Sequence, residues 1–402
     1  MSKKQTKLRL LIFSMIVFMS FFLLLEGLTR LIIFILPSSY TPKFKGLQEG
    51  IIISDNVLNH KWRPSIKVRG KARGIETVMY VNGQSWVCQR NVNKKKPKNT
   101  YRIFYVGDSN VSSVVPWGKQ MASLVENSLN QYYESTGVNI EVINTGTSSY
   151  SPIIYFLLIK EKILDYSPDL IIICVDMTDV INDKLYKTRT IHDADGSPLA
   201  VLPFQDTEKQ QYLMTPEGIL KLSRLQSWNK GLLENSKSYR LISNLLNSLL
   251  PEKKVAYTRE WLPWHAKLDD SGNWLANEWT DDVYLNVEYT MKVIKKTIRL
   301  LQKNNIRVVL TGVPHYPQYD GTWSTKPHHV LAKTAAKVGC HYLNSYEKLK
   351  DAIAGTPLTE FYWATDPTHF NVKGNSHWAD TQVKFLLSNK DSLLPRCDDC
   401  FP

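Results

Sequence analysis

Residues 169 to 175 read Asp-Leu-Ile-Ile-Ile-Cys-Val, six apolar residues in a row behind one aspartate. A strand with one wet face alternates between apolar and polar residues. A strand that is apolar at every position is covered on both sides, the condition of a strand inside a parallel sheet. The sequence around it agrees. Residues 101–106, 139–144 and 306–314 are further strand-like runs, and "CHYLN" makes a short last one. Between them lie stretches with apolar residues at helical spacing. Residues 119–133 carry Met121, Leu124, Val125, Leu129 and Tyr132, and residues 151–166 carry Pro152 near the first turn, where proline is tolerated. Residues 280–305, about 326–338 and 372–388 are helical by the same spacing. Strands alternating with helices predict an α/β fold, a parallel sheet with helices on both faces.

The alternation breaks at about 186–279, which reads as an insertion. It opens with a hairpin turning at Asp195-Gly196. Helical pieces follow near 216–229 and 236–250, then a stretch holding Trp261, Trp264, Trp274 and Trp279. Such a segment could cap a site, its tryptophans either stacking on sugar rings or packing inside.

At the other end, residues 10–25 carry no charge, and a second apolar run follows at 31–36. Glu26 and Arg30 between them are four apart and share a helix face. Together the runs are long enough for a transmembrane helix. Lys3, Lys4, Lys7 and Arg9 precede them, which predicts a cytoplasmic N-terminus and everything past residue 36 across the membrane, in a bacterial periplasm or at the cell surface. A cleaved signal peptide is the rival, but "LEGLTRLIIFILPSS" offers no convincing cleavage site. The expected organisation is a basic flank (1–9), an anchor (10–36), an extracytoplasmic linker or lead-in (37–100), the main domain (101–390) and a short tail (391–402).

The net charge of +13 includes the basic flank and "NKKKPKN" at 93–99. A chain beyond the membrane does not meet nucleic acid, so that run is either a solvated loop or a contact for anionic lipid or acidic polysaccharide. Of five cysteines, Cys397 and Cys400 are close enough to close a small loop, and a zinc site there would lack two ligands.

Sites in parallel α/β sheets form outside the carboxyl ends of the strands. Three loops fall there: "VGDSN" after the first strand, "NTGTSS" at 144–149 and "VDMTDVIND" at 175–183. A fourth element, "WATDPTHFNVKGN" at 363–375, sets Asp366 and His369 three apart, so that one turn can aim both. A serine is a weak nucleophile until a base, itself oriented by a third group, takes its proton. Ser109 with His369 and Asp366 would meet that need. Turn and capping roles are the plainer alternative.

"FYVGDSN", "INTGTSS" and "DPTHFN", in this order at these strand ends, resemble the SGNH (GDSL-type) hydrolases over residues 101–387 apart from the insertion. Within that family the chain is similar to the membrane-anchored branch, whose members act on esters of cell-surface polysaccharides. The resemblance implies a flavodoxin-like three-layer α/β/α fold, with Ser109 as nucleophile, His369 as general base and Asp366 orienting it. It implies an oxyanion hole from the amides of Ser109 and Gly146 and a third donor, an asparagine in the family. Thr178 stands there instead, and its hydroxyl reaches less far than an amide. Asn182 is a possible substitute. Asp176, Asp179, Asn182 and His315 are candidate contacts for substrate or acceptor. No cofactor and no metal are called for. The activity implied is a serine esterase acting on acyl esters, O-acetyl first, of an extracytoplasmic glycan. Transfer of the acyl group to a polysaccharide by the same triad is the alternative. A catalytically degenerate protein that binds glycan or polysaccharide-export partners is the third reading.

Overall fold

A computed structural model describes residues 51–72, 75–113, 115–203, 273–364 and 366–395, with short pieces inside 13–27 and at 212–215 and 218–221. The chain divides into two compact units. The smaller comprises residues 1–46, 211–213 and 219–253. Its described pieces between 13 and 27 are helical. Most of the expected anchor at 10–36 lies outside the described residues. Among the described residues no helix is long and apolar enough to cross a membrane.

The larger unit comprises residues 47–210, 214–218 and 254–402. Two antiparallel hairpins open it: β1 (Ile52–Asp55) with β2 (Asn59–Trp62), and β3 (Ile66–Ala72) with β4 (Ile75–Val81). Strands β5 (Thr100–Val106), β6 (Asn139–Asn144) and β7 (Leu170–Asp176) follow. The hairpin β8 (Thr190–His192) and β9 (Pro198–Val201) turns through Gly196 at φ +68°, where a side chain would be strained. Residues Tyr212–Thr215 (β10) and Gly218–Lys221 (β11) are extended, where the spacing predicts a helix from about 216. The β-branched Ile219 suits a strand better than a helix. The second expected helix, Trp261 and Trp264 lie outside the described residues. Strands β12 (Arg307–Val313), β13 (His341–Leu343), β14 (Tyr362–Trp363) and β15 (Asp366–Phe370) complete the set.

Five strands form one sheet in the order β6-β5-β7-β12-β13, and every neighbouring pair is parallel. Counted in chain order this is 2-1-3-4-5, the flavodoxin-like winding, whose crevice opens between the first and third strands. The apolar run of β7 divides its side chains between two cores. Ile171, Ile173 and Val175 enter one, and Leu170, Ile172 and Cys174 enter the other. Helices Pro152–Glu161, Asp281–Lys303 and Lys326–Val338 pack the first face. Helices Met121–Tyr133, Ser345–Ile353 and Val372–Ser388 pack the second. Residues Ser345–Ile353 had no helical assignment from sequence.

The stretch expected as a lead-in is built into this unit from residue 51 onward. Trp62 and Trp86 are buried, and Trp86 meets Phe104 of β5 edge-on at 5.5 Å. The Val87 amide donates to the Asn144 carbonyl at the end of β6. Arg102, buried at the start of β5, donates to Glu141 at 2.7 Å and to the Asn93 carbonyl at 3.0 Å. In the basic run, Lys94 pairs with Asp165 and Lys96 with Asp169, at 2.7 and 2.6 Å. Those two lysines tie the loop to the amino end of the sheet.

Candidate active site

Strand β5 is followed by Gly107, which is glycine for a steric reason. A Cβ there would stand 2.3 Å from the Val111 side chain and 3.2 Å from Cys174. The chain then folds back into one helical turn, Ser109–Ser112, with the Asp108 carboxylate accepting from the Asn110 amide at 2.8 Å. This sets Ser109 at the carboxyl end of the sheet, partly exposed.

His369 and Asp366 come from β15, which pairs with β14 in a two-stranded ribbon separate from the main sheet. Ser109 Oγ lies 2.8 Å from His369 Nε2, and His369 Nδ1 lies 2.7 Å from Asp366 Oδ2. With the ring proton on Nδ1 toward the carboxylate, Nε2 is free to accept from the serine. Asp366 Oδ1 takes the amides of Thr368 and His369 and the Thr368 hydroxyl. Thr368 had drawn no notice in the sequence, although it sits inside "DPTH". The serine turn and the histidine ribbon are tied through Asn375, whose Oδ1 accepts from the Ser113 hydroxyl and the Met121 amide.

The other expected residues surround this chain of bonds but are engaged differently. The Gly146 amide donates to Asn144 Oδ1 at 3.0 Å, and the Thr178 hydroxyl donates to Asp176 Oδ1 at 2.7 Å. Either group would have to leave its present partner to bind an oxyanion. Asn182, partly exposed, sets its Nδ2 3.4 Å from the Thr178 hydroxyl. Gly146 is required on space alone, because a Cβ would stand 2.3 Å from the Ser112 amide nitrogen.

Asp176 and His315 are paired in the interior. His315 Nε2 lies 2.9 Å from Asp176 Oδ2, with both side chains at most 2% exposed. The same oxygen accepts from Asn110 Nδ2 at 2.8 Å, so Asp176 links the residue after Ser109 to the Thr178 loop. Asp179 accepts from Tyr155 at 3.0 Å. These burials leave Asp176, Asp179 and His315 beneath the surface at which Ser109 is partly exposed.

The buried acids are shifted in opposite directions. Burial, then the charge of Asp176, pushes Asp108 well up, and Ser109 Oγ lies 3.2 Å from its Oδ2. Burial and the charges of Asp108, Asp176 and Asp183 push Asp179 up too. Burial acts to raise Asp176 as well, but His315 and the Thr178 bonds outweigh it and hold that carboxylate below the ordinary range.

Two tryptophans far away in sequence hold the loops. Trp62 Nε1 donates to the Gly146 carbonyl at 2.9 Å, and Trp274 Nε1 to the Met177 carbonyl at 2.7 Å. Trp274 is fully buried, so of the two alternatives for the insertion's tryptophans this one packs inside. A cavity of about 510 Å³ lined by Tyr316, Tyr319, Asp320, Ile353, Gly355, Thr356 and Pro357 does not include Ser109, His369 or Asp366. Cys88, Cys174 and Cys340 are free thiols, and Cys397 and Cys400 lie outside the described residues.

No family model matches the chain. No curated protein matches it either. Among solved structures it is similar to a catalytic mutant of an acetylxylan esterase from Geobacillus stearothermophilus, at 12% identity and a TM-score of 0.40, over 75% of this chain and 100% of that one. It is similar to an alpha/beta hydrolase enzyme from the metagenome of Lake Arreo, at 10% identity and a TM-score of 0.39, over 75% and 97%. A putative GDSL-like lipase from Parabacteroides merdae stands at 12% identity and a TM-score of 0.39, over 73% and 97%.

Proposed function

We propose that the chain is a membrane-anchored, extracytoplasmic serine esterase of SGNH type that cleaves acyl esters, O-acetyl first, on a cell-surface glycan. The observation that carries the reading is the unbroken bond sequence Ser109 Oγ, His369, Asp366, at 2.8 and 2.7 Å. In the reaction Ser109 attacks the ester carbonyl while His369 Nε2 takes its proton, and Asp366 stabilises the imidazolium. The alkoxide leaves with that proton and an acyl-serine remains. His369 then activates water, or a sugar hydroxyl if the acyl group is passed on. The anchor rests on the uncharged run of 10–25 and on its described apolar side chains, Phe13, Phe18 and Leu24 among them, which stand more than half exposed.

The test is the full chain in detergent with a fluorophosphonate probe and 4-nitrophenyl acetate. Labelling and turnover are expected in the parent, with both lost in Ser109→Ala and turnover lost in His369→Ala. A folded parent that neither labels nor turns over would overturn the esterase reading.

A further inference from the structure

We infer that the β3–β4 ribbon is a docking surface for an anionic polysaccharide, which narrows the substrate class of the esterase proposed above and rests on that reading. The strand sequence Ile66-Lys67-Val68-Arg69 alternates, and alternate side chains of a strand take opposite faces. Ile66 and Val68 pack onto the small core of Trp62, Met79 and Val81. That fixes the ribbon and turns Lys67 and Arg69 outward, where both are exposed. The ribbon adjoins the segment that follows the nucleophile. Thr77 Oγ1 donates to the Val115 carbonyl at 2.9 Å, and the Tyr80 ring meets Trp117 edge-on at 4.9 Å. Lys67 Nζ stands 4.9 Å above that same tyrosine ring. Lys119, exposed, lies two residues beyond Trp117.

Some cations of the chain are neutralised in place, as in Lys94 with Asp165, Lys184 with Asp282 and Lys373 with Glu360. Among the described residues Lys67, Arg69 and Lys119 enter no ion pair, and one exposed acid, Glu76, shares the ribbon. Cations beside partly exposed aromatic rings suit sugar rings that carry carboxylates or phosphates. A polymer on these groups continues onto the segment that leads back to Ser109. A bilayer resting on them would have no such reason to meet the nucleophile, so a glycan is the occupant we assign.

The experiment compares the full chain with Lys67→Gln/Arg69→Gln on acetylated polygalacturonate, acetylated xylan and 4-nitrophenyl acetate. The parent is expected to prefer the anionic polymer, and raising sodium chloride from about 50 to about 500 mM to erase that preference. The double variant should lose about tenfold in kcat/KM on acetylated polygalacturonate and nothing on the two neutral substrates. Equal turnover of both polymers by the parent, or no change in the variant, overturns the inference. Failure of the parent on 4-nitrophenyl acetate counts against the esterase reading alone. The ribbon is then still tested by affinity electrophoresis in polygalacturonate, where the parent should be retarded and the double variant not.

Discussion

The two oxygens of Asp366 have different work. Oδ2 faces His369 Nδ1, and Oδ1 gathers the bonds that shape its own turn. Asp366→Asn preserves the shape but favours the wrong imidazole tautomer. It is expected to lower kcat by about 10⁴-fold with little change in KM, measured on 4-nitrophenyl acetate. Asp183 carries a prediction about stability. Burial raises it from 3.8 to about 7, against the bonds from Ser151, the Ile153 amide and Thr290. Between those values the folded protein holds a proton that the unfolded chain has released. The stabilisation is therefore complete below about pH 4 and is lost as pH rises to about 7. His60 has the opposite sign: burial lowers it to about 4, so stability falls as pH drops from about 6.5 to about 4. Asp183→Asn should remove the first slope and leave the second. Urea midpoints at pH 5 and pH 8 check this, and a parent and variant that fall together would refute it.

At the scale of elements, Gly146 is a point where two of them meet with no room to spare. A methyl group there would press on the Ser112 nitrogen, the Asp108 oxygen and the Val111 carbonyl carbon, all backbone atoms that cannot swing aside. Gly146→Ala is expected to cost about 1–3 kcal/mol in urea titration and to lower kcat by displacing the serine turn. The core elements were legible because each carries its own period. The strands at 101–106, 139–144, 169–175 and 306–314 and the long helices needed nothing from elsewhere. The hairpins of residues 51–81 were less so, since their strands are short and Trp62 finds its partner 84 positions away. The meeting of Ser109, His369 and Asp366 was legible because Gly-Asp-Ser and Asp-x-x-His are local patterns. The engagement of Gly146 and Thr178 with Asn144 and Asp176 was not, because spacing specifies a position and not the direction of a hydrogen bond.

Over the whole molecule, the site depends on segments that are strangers in sequence. Residues before the first sheet strand hold the Gly146 loop, and the end of the insertion holds the Met177 loop. Ser109 and His369 are separated by 260 positions. Helices form from neighbours, whereas that bond must wait until nearly the entire chain has been threaded into place, because long-range contacts are entropically late. The Ser109–His369 bond is thus a clock for the end of folding. On dilution from urea the far-ultraviolet helical signal should recover first and ester turnover should lag behind it. Simultaneous recovery would mean that the serine and histidine meet early, in a collapsed chain whose sheet is still incomplete.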